Sequence, residues 1–240
     1  MSERFKEHAW NACVGQLTGS SNLSLPAILS LSAKFYLATL RIDMKILLLG
    51  ASGSLGSYVI DELLSVEGVN LRLYARDIKK LENFRSDKTT LMQGDVQDKA
   101  RLKEALNGVD SVYAGLAGSL EAMASSLVSA MKETGVKRLV WITSYGIYEG
   151  EVPSGRRAPS SYINSAKIIE NSGLCYTLIR PQWFSDANEI DYEVTSWSKG
   201  EKFKNENAQI SRRSIANLVK RCLLDGFGIK DSLGINKKEI

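Results

Sequence analysis

The 240-residue chain holds one histidine, His8, and three cysteines, Cys13, Cys175 and Cys222, far apart and without a Cys-x-x-Cys. Neither a metal cluster nor a histidine-based triad can be assembled from that set. Scattered cysteines with no disulfide framework read as unpaired thiols in a reducing compartment, so the expected location is cytoplasmic. Positive charge is also sparse. The net charge is +4, and Arg156-Arg157, Arg212-Arg213 and Lys237-Lys238 are isolated pairs rather than a stripe interleaved with aromatics. Nucleic acid is therefore not an expected partner. No clean apolar run is long enough to span a membrane. Leu23 to Leu40 is broken by Pro26, Lys34 and several serines, short of the ~18–20 apolar residues a span needs. Its late start, with Glu3 and Glu7 ahead of it, also makes it a poor signal peptide.

The rest of the composition is that of a soluble globule, with 44% hydrophobic and 24% charged residues. The length suffices for one α/β domain with a substantial core. No internal repeat or low-complexity linker is visible, so one domain is expected over residues 44–240. Residues 1–43 precede Met44, itself a plausible start, and read as an extra docked helix or a leader. A leader without catalytic role is favoured over a membrane-surface or partner-binding helix.

From Met44 onward, strand and helix signals alternate. Strands are expected at Ile46–Leu49, Leu71–Tyr74, Thr89–Met92, Ser111–Tyr113, Arg138–Ile142 and Cys175–Ile179, the last closed by Pro181. Helices are expected at Asp77–Phe84, Asp98–Leu106, Leu120–Thr134 and Ser161–Asn171. Ile215, Leu218, Val219, Cys222 and Leu223 mark one face of a further helix. The C-terminal part is less regular, with a short strand expected at Tyr192–Thr195. This order predicts a doubly wound parallel sheet with helices on both faces, a Rossmann fold.

The chemistry is concentrated in the first strand–turn–helix unit. The run Ile46-Leu47-Leu48-Leu49 ends in Gly50-Ala51-Ser52-Gly53-Ser54-Leu55-Gly56, and a helical pattern follows. Glycines at that spacing let the chain turn tightly and let a pyrophosphate approach backbone N–H groups at a helix N-terminus. A Walker A loop is excluded, because no Gly-Lys-Ser/Thr follows at the required distance. The second strand ends Tyr74-Ala75-Arg76-Asp77, where a dinucleotide's adenosine ribose is met. Arg76 could pair with a 2′-phosphate through its planar fork, favouring NADP over NAD; alternatively Asp77 is the ribose ligand and Arg76 a surface residue. Asp95, in Gly94-Asp95-Val96, is an adenine contact or a turn residue beside the helix that opens at Asp98. Tyr113-Ala114-Gly115-Leu116-Ala117-Gly118 supplies small residues where the centre of a cofactor would lie, or merely a flexible loop.

Taken together, GASGSLG, YARD, GDV, YAGLAG, Val140-Trp141-Ile142-Thr143-Ser144, Ala166-Lys167-Ile168-Ile169-Glu170 and Tyr176-Thr177-Leu178-Ile179-Arg180-Pro181 resemble the atypical short-chain dehydrogenase/reductases. The likeness is to their NAD(P)H-binding, NmrA-like group, which includes biliverdin reductase B-type flavin reductases, and it covers about residues 44–225. Ile210-Ser211-Arg212-Arg213-Ser214-Ile215-Ala216 is similar to that group's ISRxDVA segment, with Ser214 where aspartate is common. The resemblance implies that Gly50, Ser52, Gly53, Ser54, Leu55 and Gly56 hold the pyrophosphate, and that Arg76 takes the 2′-phosphate. Asp95 and Val96 would flank adenine, and Ala114, Gly115 and Leu116 would line the nicotinamide ribose side. Thr143 and Ser144 would approach the nicotinamide, Lys167 would bind ribose hydroxyls, and Pro181, Gln182 and Trp183 would close over the nicotinamide end.

Typical short-chain dehydrogenases carry Tyr-x-x-x-Lys on one helix face, where the lysine lowers the tyrosine pKa. Here Ile163 stands four residues before Lys167, while Tyr162, five before, lies about 140° around an undistorted helix. The usual general acid is missing. Tyr145 and Tyr148 are substitutes or packing aromatics, packing being favoured for Tyr148. The resulting expectation is an NADPH-dependent reductase of a small conjugated, flavin- or quinone-like acceptor. Ser144 or Tyr145 would assist at the acceptor, with Lys167 beside the cofactor. The rivals are a non-catalytic NADP(H) sensor with a protein partner and, more weakly, a nucleotide-sugar epimerase.

Overall fold

The computed structural model describes residues 43–238. The expectations for the leading segment, including Leu23 to Leu40, His8 and Cys13, lie outside the described residues. β1 (Met44–Leu49) is buried at every position except Lys45. An apolar run of this kind suits a strand covered on both faces. β1 pairs in parallel with β2 (Val69–Ala75) on one side and β4 (Ser111–Ala114) on the other. β3 (Thr89–Gln93) lies outside β2, and β5 (Arg138–Ile142) and β6 (Cys175–Pro181) follow β4. β10 (Asp231–Asn236) adds in parallel to β6, and β8 (Glu193–Ser196) closes that edge antiparallel to β10. The described residues thus form an eight-stranded sheet of order β3-β2-β1-β4-β5-β6-β10-β8.

Helices cover both faces. α1 (Gly56–Leu64) and α5 (Arg212–Leu224) pack on one through Val59, Ile60, Leu63, Ile215, Leu218 and Val219. α2 (Lys99–Leu106), α3 (Leu120–Thr134) and α4 (Ser160–Glu170) cover the other, around Leu102, Leu127, Met131 and Ile169. The helix ends follow local chemistry. Asp98 caps α2 by accepting from the Arg101 N–H at 3.1 Å. Gly135 ends α3 with φ +80°, a conformation that costs little without a Cβ. Ser211 caps α5 by accepting from the Ser214 N–H at 3.0 Å.

The doubly wound expectation holds, with three differences. The Asp77–Phe84 helix is a 3-10 segment, Ile78–Phe84. The C-terminal part is more ordered than its sequence suggests. β7 (Trp183–Ser185) and β9 (Gln209–Ser211) form a second, two-stranded parallel sheet, and β10 joins the main one. β10 escapes a hydropathy reading because it buries Ser232 and Asn236 and half-buries Asp231. The Asp231 and Asn236 side chains are bonded, while the Ser232 hydroxyl has no partner among the described residues. Asp231 accepts from the Ser198 N–H at 3.1 Å, and Asn236 accepts from the Lys204 N–H at 2.8 Å. Buried polar groups carry little penalty when so paired. Third, Cys175 is disulfide-bonded, a correction to the expectation of unpaired thiols. Cys222 is a free, buried thiol, its pKa pushed up to about 12 by burial. Among the described residues no helix is long and apolar enough to cross a membrane.

The rim of β2 is pinned by Tyr74, whose hydroxyl donates to the Asp95 carbonyl at 2.9 Å. A Cβ on Gly94 would collide with the same phenol. Burial pushes the Tyr74 pKa from 10 up to about 12. A raised folded pKa means that this contribution is complete below pH 10 and is lost as pH rises through about 12. Tyr74→Phe should cost about 1 kcal/mol at neutral pH, the net worth of one hydrogen bond. Urea unfolding at rising pH should show the gap between wild type and variant narrowing above pH 10.

Candidate functional site

The strand order reverses direction between β1 and β4, the point outside whose carboxyl ends a ligand crevice forms in such sheets. There the turns after the two strands meet backbone to backbone. Gly50 has φ +80°, and a Cβ on it would collide with the Gly115 carbonyl oxygen. The turn then tightens twice, with Gly53 N–H donating to the Gly50 carbonyl and Gly56 N–H to the Gly53 carbonyl, each at 2.9 Å. A Cβ on Gly56 would collide with the Ala51 carbonyl. Ser52, Gly53 and Ser54 are exposed, while Leu55 and Gly56 are buried. At the start of α1, Leu55 offers no capping oxygen, and the first turn carries no acidic residue. The positive end of the helix dipole is therefore not offset by an acidic side chain of its own first turn.

The neighbouring strand ends contribute the other expected residues. Arg76 is exposed just beyond β2, and its carbonyl accepts from Gln93 Nε2 at 2.9 Å. The Asp77 carboxylate is turned to the chain, capping the 3-10 segment through the Lys79 N–H at 3.1 Å. The Asp95 carboxylate accepts from the Gln97 N–H at 2.9 Å, and Val96 is buried beside it. Ala114 is buried, and Gly115 and Leu116 are half-buried. At the end of β5, Thr143 N–H donates to the Ile179 carbonyl at 2.8 Å. Its hydroxyl is buried without a partner, while Ser144 is half-buried.

The remaining candidates have other company. Tyr145 is buried against Phe203, with ring centroids 5.1 Å apart, and its hydroxyl accepts from Arg156 Nη1 at 2.9 Å. Tyr148 stacks on Trp197 at 4.2 Å and donates to the Glu170 carboxylate. Burial, then that carboxylate, holds its phenol well above the usual range. α4 is regular through Ser160–Glu170, so Tyr162 and Lys167 do not share a face. Lys167 is exposed, and Ile163 packs against the α2–α4 side of the core. Pro181 and Gln182 are buried. Gln182 Nε2 donates to the Asn205 carbonyl, and its Oε1 accepts from the Lys237 N–H at 2.8 Å. Trp183 is 63% exposed. Ser214, where aspartate is common, accepts from the Asp191 N–H at 3.0 Å.

The geometry fits a dinucleotide. The turn is a cradle that any Cβ at Gly50 or Gly56 would fill, it opens on an uncapped helix N-terminus, and an orphaned hydroxyl lies at the end of β5. A model of NAD(P)H-binding domains matches residues 50–226. The chain belongs to this NAD(P)H-binding family. A Rossmann-fold NAD(P)-binding family protein from Shigella flexneri is 36% identical, superposes with a TM-score of 0.71, and is matched over 81% of this chain and 94% of its own. A short-chain dehydrogenase/reductase from Veillonella parvula, solved in complex with NADP, shares the fold with a TM-score of 0.72 and 24% identity over 81% of this chain and 94% of its own. Among curated proteins, Quinone oxidoreductase 2 of Escherichia coli is 28% identical over 141 residues, 57% of this chain and 48% of its own. Phenylcoumaran benzylic ether reductase 1 of Arabidopsis thaliana is 27% identical over 152 residues, 59% of this chain and 49% of its own. The chain spans about half the length of these curated relatives.

This NAD(P)H-binding domain also carries an element that sequence reasoning missed. Arg180 of β6 and Glu151 of the β5–α4 loop form an ion pair with both side chains 0% exposed. Arg180 also donates to the Ser232 carbonyl of β10 at 3.0 Å and lies 5.4 Å from the Tyr148 ring centroid. Glu151 accepts from the Gly146 and Tyr148 N–H groups at 2.9 and 3.2 Å. The loop that follows Ser144 is thus anchored to the sheet by one carboxylate. A charged residue inside the apolar run Thr177-Leu178-Ile179-Arg180 signals a buried partner, but not which one. Glu151→Gln should destabilise the protein by about 3–5 kcal/mol, because it leaves Arg180 buried and unpaired. The double variant Glu151→Gln, Arg180→Met should recover a large part of that loss in denaturant titration.

Proposed function

We propose that this chain is an NADP(H)-dependent reductase acting on a small conjugated acceptor of flavin or quinone type. The observation that carries the cofactor choice is the contrast at the end of β2. The Arg76 guanidinium is exposed at the rim, while the Asp77 carboxylate is occupied in capping the 3-10 segment. A free guanidinium suits a 2′-phosphate; an engaged carboxylate is poorly placed to accept from a ribose 2′-hydroxyl. The names of the relatives as a quinone oxidoreductase and as ether and isoflavone reductases support reductase chemistry.

The bound cofactor would supply the hydride. The turn at Gly50–Gly56 would hold its pyrophosphate on backbone N–H groups, and Asp95 and Val96 would flank adenine. Ala114, Gly115 and Leu116 would let the backbone come close at its centre. Lys167 would bind ribose hydroxyls, with Thr143 and Pro181 toward the nicotinamide. Ser144 and Tyr145 would assist at the acceptor. The Tyr145 oxygen already accepts from Arg156, which leaves its O–H free to donate.

A second reading is an NADP(H) sensor without turnover, in which occupancy alters a surface read by a protein partner. The regular α4, with Ile163 in place of a phenol on the Lys167 face, favours it. Stopped-flow NADPH oxidation against flavins, quinones and aldehydes separates the two. The reductase reading expects turnover with a flavin or quinone; tight cofactor binding with no oxidation across the panel would leave the sensor. Arg76→Ala should weaken NADPH about 10- to 100-fold and NADH little, from the ~1.5–3 kcal/mol of a charge-assisted hydrogen bond. Equal weakening of both nucleotides in a calorimetric titration would remove the phosphate assignment.

A further inference from the structure

We infer that Trp183 is the stacking platform for the acceptor, and so selects planar ring systems; this rests on the reductase reading above. Among the described residues Trp183 is the most exposed large hydrophobic side chain, at 63%. Its backbone is nevertheless paired with β9 on one side and follows an anchored residue. Immediately before it, Gln182 is 2% exposed and clamped between the Asn205 carbonyl and the Lys237 N–H. Trp183 itself is aligned with Gln209, Phe184 with Ile210 and Ser185 with Ser211 in the two-stranded sheet. Phe184, its neighbour, lies under the Arg212 guanidinium at 5.3 Å, and β9 runs directly into α5.

Position gives this exposed indole its meaning. Trp183 lies two residues after the end of β6, at the carboxyl end of the sheet, where the crevice of a doubly wound fold opens. A rigid backbone carrying a solvated aromatic is a preformed surface. Its ordering cost is already met in folding, so a flat π-system that covers it gains burial and offset stacking at little further entropic cost. The same face offers little to a small, non-planar carbonyl. Among the described residues Ile190, at 48% exposure, is the other large hydrophobic left to solvent, in the segment between β7 and β8. A lone aliphatic side chain there adds apolar area without selecting for flatness. Trp183 is therefore assigned to the acceptor, at the nicotinamide end where the resemblance put it.

The test titrates FMN, followed by quenching of its own emission, into full-length protein saturated with NADP. Wild type, Trp183→Ala and Trp183→Phe are compared, and NADPH affinity is measured in parallel. Trp183→Ala should weaken FMN about tenfold and remove most of the quenching. Trp183→Phe should restore most of the affinity, and NADPH affinity should fall far less than FMN affinity in both variants. In turnover, Trp183→Ala should raise KM for FMN and for 1,4-naphthoquinone, with KM for a small aldehyde unmoved. Unchanged FMN binding by Trp183→Ala, or an equal loss of NADPH affinity, overturns the assignment while leaving the reductase reading intact. Wild-type protein that neither binds nor reduces any planar acceptor overturns both.

Discussion

The candidate cofactor site depends on one contact between two stretches of main chain. Gly50, after β1, lies so close to the carbonyl of Gly115, after β4, that a Cβ on Gly50 would collide with it. These are the strands between which the sheet reverses its winding. Their approach fixes where the β1–α1 turn sits, and that turn fixes where α1 begins. Gly56 repeats the constraint one step later, because a Cβ on it would collide with the Ala51 carbonyl. The glycines are needed less for flexibility than for the absence of volume. Without that volume, backbone N–H groups and the uncapped start of α1 face the same space.

A second constraint governs the loop after β5. That loop carries Ser144 and Tyr145 and has no regular structure until α4. It is ordered by charge and by aromatic stacking. Glu151 gathers two of its N–H groups and pairs with Arg180, which in turn reaches β10. Tyr145 on Phe203 and Tyr148 on Trp197 fasten the same loop to the C-terminal segments. A buried ion pair adds little net stability over an apolar pair of equal volume. Its value here is directional, since one carboxylate can bind loop amides and a guanidinium at once.

The parts legible in the sequence were those governed by local rules. Apolar runs located the central strands, the glycine spacing located the turn, and Gly135 marked the end of α3. Arg76 stood out because it is a guanidinium at a strand end. What stayed hidden depends on distant partners. β10 reads as polar because Asp231 and Asn236 are satisfied by segments more than thirty residues away. Glu151 lies in an aperiodic loop, and only the fold brings it to Arg180. The resemblance placed Gln182 and Trp183 together at the nicotinamide end, yet one is sealed into a hydrogen-bonded clamp and the other is open to solvent. Neighbouring positions on a strand face opposite ways, and a motif written as a string does not carry that distinction.

The same alternation bears on the missing proton donor. With α4 regular, Ile163 occupies the face of Lys167 that a phenol would need, and it is held there by packing. No small adjustment of the helix can bring Tyr162 round. A carbonyl reduced by hydride develops charge on one oxygen and needs an acid within hydrogen-bond reach. A flavin or quinone spreads that charge over a conjugated plane and can take its proton from water or from a hydroxyl such as Tyr145. Loss of the phenol and retention of a rigid exposed indole beyond β6 thus favour the same kind of acceptor. One makes a localised alkoxide hard to serve; the other offers a delocalised ring somewhere to lie.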